Sequence, residues 1–233
     1  MKHVSGLRRF ALLACCCTAL AGLYATAAGA KEQPPQVSPD GLHLQKSTRE
    51  SLVYVRPGAT FSQYNRVAIL DCFVEFEKDW QRDYNSSRVG LEGRLSDQDV
   101  ERMKSRLAAE FKQVFTDELQ NKGGYQVVDS AAPDVLVLRP ALVNVEVSAP
   151  DIMTAGTSAT VVRSAGQMTL YLELWDSATN TILARVMDAE ADPDTFARLA
   201  TSVSNKAAAD RILRAWAERL RKYLDGVHGK TGQ

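Results

Sequence analysis

The chain has 233 residues, 28 of them basic and 28 acidic, with three histidines and four cysteines. Balanced charge removes the electrostatic case for nucleic-acid binding and for a polybasic membrane patch. The length suits one domain with a sizeable core.

The first thirty residues, MKHVSGLRRFALLACCCTALAGLYATAAGA, read as a secretory signal. Lys2, Arg8 and Arg9 form a basic n-region, an apolar run follows, and Ala28-Gly29-Ala30 is a small-residue ending. Cleavage after Ala30 leaves Lys31 as the new start and sends the protein to the periplasm. Two other routes stay open. Leu12-Leu13-Ala14-Cys15 resembles a lipobox, which would lipidate Cys15 and anchor the protein to the outer membrane. Only Phe10 to Ala14 separate Arg9 from Cys15, however, which is shorter than an h-region of about 7–15 residues. The uncharged run from Phe10 to Ala30 could also stay as an anchor, since a span takes about 20 residues. Membrane contact is expected only on these last two routes. Arg8-Arg9 lacks the flanking residues of a twin-arginine signal. Removing the leader leaves 25 basic and 28 acidic residues. It also leaves Cys72 without a partner for an internal disulfide. His43 and His228 remain near the two ends.

Residues 31–49 form a polar, proline-containing arm that reads as a flexible tether, at least over its first ten residues. Ser51 to Val55 is a short strand stopped by Pro57-Gly58. Arg66 to Phe76 is apolar on both sides and predicts an interior strand. Ser96 to Lys122 is the clearest helix. Ser96 and Asp99 suit a capping box, Val100, Met103, Leu107, Phe111, Val114 and Leu119 make one stripe, and Gly123-Gly124 ends it. Tyr125 to Val128 is a brief strand. Asp134 to Val147 is a long strand, bent or bulged at Pro140, which has no N–H for a ladder. Ala149 to Gly166 is a long loop of small residues, either functional or disordered. Gln167 to Trp175 alternates cleanly, and a turn at Asp176 to Asn180 joins it to Thr181 to Asp188 as a hairpin. A helix from Asn205 to Leu224 presents Ala208, Ile212, Ala215, Trp216, Leu220 and Tyr223, and Gly226 ends it.

This order predicts an α+β domain over residues 50–225: a mixed, largely antiparallel sheet of about five or six strands with two amphipathic helices packed on one face. Residues 226–233 read as a disordered tail.

The segments SLVYVRPGATFSQYNRVAILDCFVEFEKDWQRDY and RSAGQMTLYLELWDSATNTILARVMD resemble the domain of unknown function 3313 family. Tyr54-Val55-Arg56-Pro57-Gly58, Trp80-Gln81-Arg82-Asp83 and Asp176-Ser177 with Thr179 are the most specific parts, and Ala215-Trp216-Ala217 with Leu224-Asp225 fits the same pattern. The likeness spans Pro39 to Leu224. It implies a small exported bacterial protein, in many members a lipoprotein, and it supplies no catalytic residues. The weak lipobox departs from the pattern.

Few residues carry chemistry. Cys72 lies among Leu70, Val74 and Phe76 and reads as a buried, inert thiol. No Gly-x-Ser-x-Gly elbow, Cys-x-x-Cys pair, His-x-x-x-His pair, EF-hand loop or phosphate-binding glycine loop occurs, so no catalytic set, metal or cofactor is expected. Two alternating carboxylate runs, Asp71, Glu75, Glu77, Asp79 and Asp188, Glu190, Asp192, Asp194, read as solvated strand edges. Asp192-Pro193 also suits a helix start. Trp80 and Tyr84 beside Asp79 and Asp83 offer an alternative, a carboxylate-dependent hydrolase acting on envelope polysaccharide. A small-ligand carrier with an apolar interior under the long loop is the third reading.

The favoured reading is a non-catalytic envelope protein that binds a partner protein or another envelope component. Tyr171 and Trp175 lie on the strand face opposite Leu170 and Leu172. With Leu183 and Met187 across the hairpin they form the expected partner surface. The alternatives are that the N-terminal arm covers them or that they sit singly.

Overall fold

The computed structural model describes residues 33–86, 93–147, 160–162, 166–191, 198–200 and 202–230. All but Gln33 belong to the compact unit Pro34–Gln233. The leader, with Cys15 and Ala30, lies outside the described residues, as do 148–159 and 163–165 of the long loop.

Ten strands and three helices are described. The strands are β1 (His43–Ser47), β2 (Ser51–Val55), β3 (Arg66–Ile69), β4 (Phe73–Phe76), β5 (Gln126–Val127), β6 (Val135–Val147), β7 (Thr160–Val162), β8 (Gly166–Asp176), β9 (Thr181–Ala191) and β10 (Arg198–Ala200). The helices are α1 (Trp80–Ser86), α2 (Asp97–Thr116) and α3 (Ser202–Val227). Eight of these strands make one mixed sheet in the order β1-β2-β9-β8-β6-β3-β5, with β4 also on β6. β3 and β4 run parallel to β6, β5 runs parallel to β3, and the other pairs are antiparallel. A separate two-stranded sheet joins β7 and β10. The α+β class holds, with more strands than the alternation suggested.

The extra strands have local causes. The expected interior strand from Arg66 to Phe76 is two strands broken at Leu70–Cys72. The break sits level with Pro140. Leu138 O accepts from Leu70 N at 3.0 Å, so even-numbered residues of β6 turn their backbone groups to the β3 flank. The nitrogen of Pro140, two residues on, faces the gap where no strand asks for a donor. Pro140 itself stays in register with Leu172, and the irregularity falls instead at Val143–Glu146, where Asn144 has φ 51°. The arm is likewise not all tether. Leu42 is fully buried, Leu42 N donates to Ser38 Oγ at 3.0 Å, and the chain returns as edge strand β1.

Both helices cover one face. Leu170, Leu172 and Leu174 of β8 and Leu136, Leu138 and Leu142 of β6 pack with Phe111, Phe115, Ile212, Leu213 and Trp216 in a single core. The capping box at the start of α2 is present: Ser96 Oγ accepts from Asp99 N and Asp99 Oδ2 accepts from Ser96 N. α2 ends in a π-helical turn, Asp117–Lys122, that buries Glu118 and Leu119 side by side. Burial pushes the Glu118 carboxyl up, but Lys122 and Arg221 outweigh it and hold it below its ordinary value. On α3 the core takes Leu213 and Ala217 rather than Ala215, and Tyr223 stays half exposed with its ring edge-on to Phe61.

The described part of the tail, residues 226–230, folds back onto the domain. α3 passes Gly226 and ends at Val227, two residues before Gly229, which has φ 67°. His228 Nδ1 donates to Leu224 O at 2.8 Å. Lys230 Nζ donates to Gly123 O at 2.9 Å and lies 4.0 Å from the centroid of the buried Tyr125 ring. Asp188 is buried too, held by Trp216 Nε1 at 2.7 Å and by Arg219, which also binds Glu190. This carboxylate run is thus partly a tie between β9 and α3 and not a solvated edge.

Candidate functional site

The face of the sheet opposite the helices carries the candidate surface. Residues in direct register share a face. One row across the sheet is Phe73, Ala141, Tyr171, Met187 and Leu52. The next is Arg139, Glu173, Arg185 and Tyr54. A third is Ala68, Val137, Trp175 and Ile182. Tyr171, Trp175 and Met187 therefore share this face, as the alternation predicts.

Leu183 does not. A bulge between Leu174 and Trp175 sets Ala184 opposite Leu174 and Ile182 opposite Trp175, leaving Leu183 as the extra residue. Leu183 turns into the helix-side core and Ile182 takes its place on the other face. No residue type in the hairpin signals this slip, so strict alternation misassigns it.

The middle of the face is ionic. Glu173 is buried, and its carboxylate accepts from Tyr171 Oη (2.9 Å), Trp175 Nε1 (3.1 Å), and Arg185 Nε and Nη2 (3.1 and 2.8 Å). Arg185 also binds Asp40 from the arm, and its guanidinium lies 5.7 Å from the Tyr171 centroid. Burial pushes the Glu173 carboxyl up, but the bonds from Arg185, Tyr171 and Trp175 bring it below its ordinary value. Hydrogen bonds from Arg185 and Ser38 lower Asp40. Burial, then Glu173, raises the Tyr171 phenol. Burial opposes the charge on Arg185, and its two carboxylates outweigh it and raise its pKa. The polar ends of Tyr171 and Trp175 are thus satisfied within the sheet, leaving ring surface to face outward.

The arm covers one side of this face. Leu42, Tyr54 and Ile182 form a small core against which Leu44, Leu52, Trp175 and Met187 pack. Tyr54 Oη donates to Pro35 O at 3.0 Å. Beyond the arm the surface opens toward β4, where Phe73 is 59% exposed and Leu70 47%. The two-sided apolar pattern of Arg66 to Phe76 predicts both inside an interior strand, and the sequence signal for Glu173 and Arg185 is their opposite charge at facing register positions.

The carboxylates beside Trp80 do not converge. Trp80 is buried in α1, stacked between Phe76 and Tyr84 with centroids at 4.5 and 6.0 Å, and its Nε1 donates to Val147 O at 3.3 Å. Asp79 and Asp83 stand at the surface and share Arg82. Cys72 packs against the helix-side core, and burial raises its thiol to about 12. His43 is exposed on β1. Among the described residues no group of three or more His, Cys, Asp or Glu is placed to hold a metal ion, and no helix is long and apolar enough to cross a membrane. Asp192, Asp194 and most of the long loop lie outside the described residues.

No curated protein matches the chain. Among solved structures, the PelC dodecamer from Paraburkholderia phytofirmans is 11% identical, with 73% of this chain and 97% of that one covered and a TM-score of 0.36. Protein XCC0632 from Xanthomonas campestris is 11% identical over 76% and 91%, with a TM-score of 0.35. The hypothetical protein CT253 from Chlamydia trachomatis is 9% identical over 69% and 98%, with a TM-score of 0.33. Similarity at this level carries no inference about role. The family model described as "Protein of unknown function (DUF3313)" matches residues 37–220, in line with the resemblance of the strand segments and the closing helix, and the chain belongs to that family.

Proposed function

We propose that this is an exported, non-catalytic envelope protein that binds a partner protein or another envelope component through the open face of its sheet. One observation carries the reading. Phe73 and Leu70, with the half-buried Ala141 and Tyr171 beside them, leave apolar and aromatic surface outside the core, on the side away from α2 and α3, with the nearby polar groups paired among themselves. Surfaces of this make-up favour macromolecular partners, because burying ring surface costs little once its polar ends are already satisfied.

The double variant Phe73→Ser/Tyr171→Ala tests this. It should keep its circular dichroism at room temperature, with a melting point lowered by loss of the Tyr171–Glu173 hydrogen bond, while losing most proteins captured by the parent from crosslinked envelope fractions. Unchanged capture by a folded variant would sink the reading. Export rests on the leader, and intact mass of the purified protein tests it. A chain starting at Lys31 is expected. A diacylated Cys15 start would make it lipid-anchored, and a full-length cytoplasmic product would remove export altogether.

A further inference from the structure

We infer that the free edge of β4 accepts an extended, basic segment of the partner, which adds to the sheet as a further strand. This rests on the open-face reading above and states the partner's chemistry. β4 pairs on one side only, with β6, and among the described residues no strand lies on its other side. The opposite end of the sheet is closed differently: Gln36 and Val37 run along β1, with Leu44 N donating to Gln36 O at 2.9 Å and a bridge from Val37 to His43. An unpaired strand edge flanked by apolar side chains is a template for strand addition. Here those side chains are Phe73 on β4 and Leu70 in the break before it, among the most exposed large apolar residues described.

Charge selects the occupant. Asp71, Glu75 and Glu77 are exposed along this edge, and among the described residues none is held by an ion pair or side-chain hydrogen bond. Every other described carboxylate except Asp129 has such a partner, as in Asp40 with Arg185, Asp134 with Arg66 and Asp188 with Arg219. A second copy of β4 across a two-fold axis would bring the same carboxylates together and be repelled. A strand with lysine or arginine at every second position would set its cations on the open face, across from Glu75 and Glu77 and beside the Phe73 ring, and its apolar side chains on the other face with Val74 and Phe76.

The experiment uses the full chain and a short fluorescent peptide of alternating lysine and valine. Anisotropy should report binding that weakens as salt is raised. A glutamate–valine peptide should not bind. A lysine–valine peptide interrupted by proline should bind about tenfold more weakly, because proline cannot complete the ladder. Glu75→Lys/Glu77→Lys should cost a similar factor of about ten. Equal binding of the proline-interrupted peptide would overturn strand addition, and equal binding by the charge-reversed protein would overturn the charge match. Self-association of Glu75→Gln/Glu77→Gln with undiminished peptide binding would mean the carboxylates only keep copies apart, which also overturns it. If the peptide fails while Phe73→Ser/Tyr171→Ala still abolishes envelope capture, the basic strand falls and the open-face reading stands. Peptide binding with unchanged capture would separate the two in the other direction.

Discussion

Glu173 is the residue on which the open face turns. It is a buried carboxylate that holds Tyr171, Trp175 and Arg185 at once, while Asp40 shares the guanidinium from the arm. Removing one partner of such a group strands the others, and Glu173→Gln should cost about 2 kcal/mol in urea unfolding. The pH dependence has a definite sign. Glu173 and Asp40 both titrate lower in the folded chain than in the unfolded one. Their stabilisation is therefore complete above the unfolded carboxylate values of about 4 and is lost as pH falls through the folded values. Unfolding followed between about pH 6 and 2 should show a shallower loss for Glu173→Gln than for the parent, and parallel curves would refute this. The residues of this network were visible in the sequence as ordinary polar positions on alternating strands. Their convergence was not, because Asp40 and Arg185 meet only through a turn in what read as a tether.

At the scale of elements, the hairpin of β8 and β9 shows how far periodicity reaches. The alternation Met168, Leu170, Leu172, Leu174 is buried throughout, so the strand and its core face were legible from spacing alone. The facing strand was legible only to the bulge. One extra residue moves Leu183 to the helix side, and a period-two rule has no term for it. Leu183→Ala should therefore behave as a core truncation and cost about 2–4 kcal/mol. Met187→Ala, on the open face, should cost about 1 kcal/mol or less. Comparable losses in thermal unfolding would place the two residues alike and contradict the bulge. The helices were read more accurately because capping and a 3.6-residue stripe are local, as Ser96, Asp99, Phe111 and Leu119 show. The split of β3 from β4 was unreadable for the opposite reason. It depends on Pro140 in a strand about seventy positions away, a non-local partnership that no window on Arg66 to Phe76 contains.

Among the described residues, α2 and α3 cover one side of the main sheet and an arm crosses part of the other. That asymmetry has a mechanical consequence. The chain enters at Pro35, held by Tyr54, folds through the Asp40 clasp, and forms β1 before reaching β2 and the interior. Tension applied upstream of Gln33 is delivered to the end where His43 faces Val55, so β1 is unzipped from β2 one bond at a time before the interior strands give way. In an optical trap with handles at the two termini, an early low-force step of about 50 Å is expected as residues 34–47 straighten, at roughly 3.5 Å per residue. A single all-or-none rip would contradict it. A pull from the N-terminal side would thus work as a fuse, baring Trp175, Tyr54 and Ile182 while the rest of the fold stays intact.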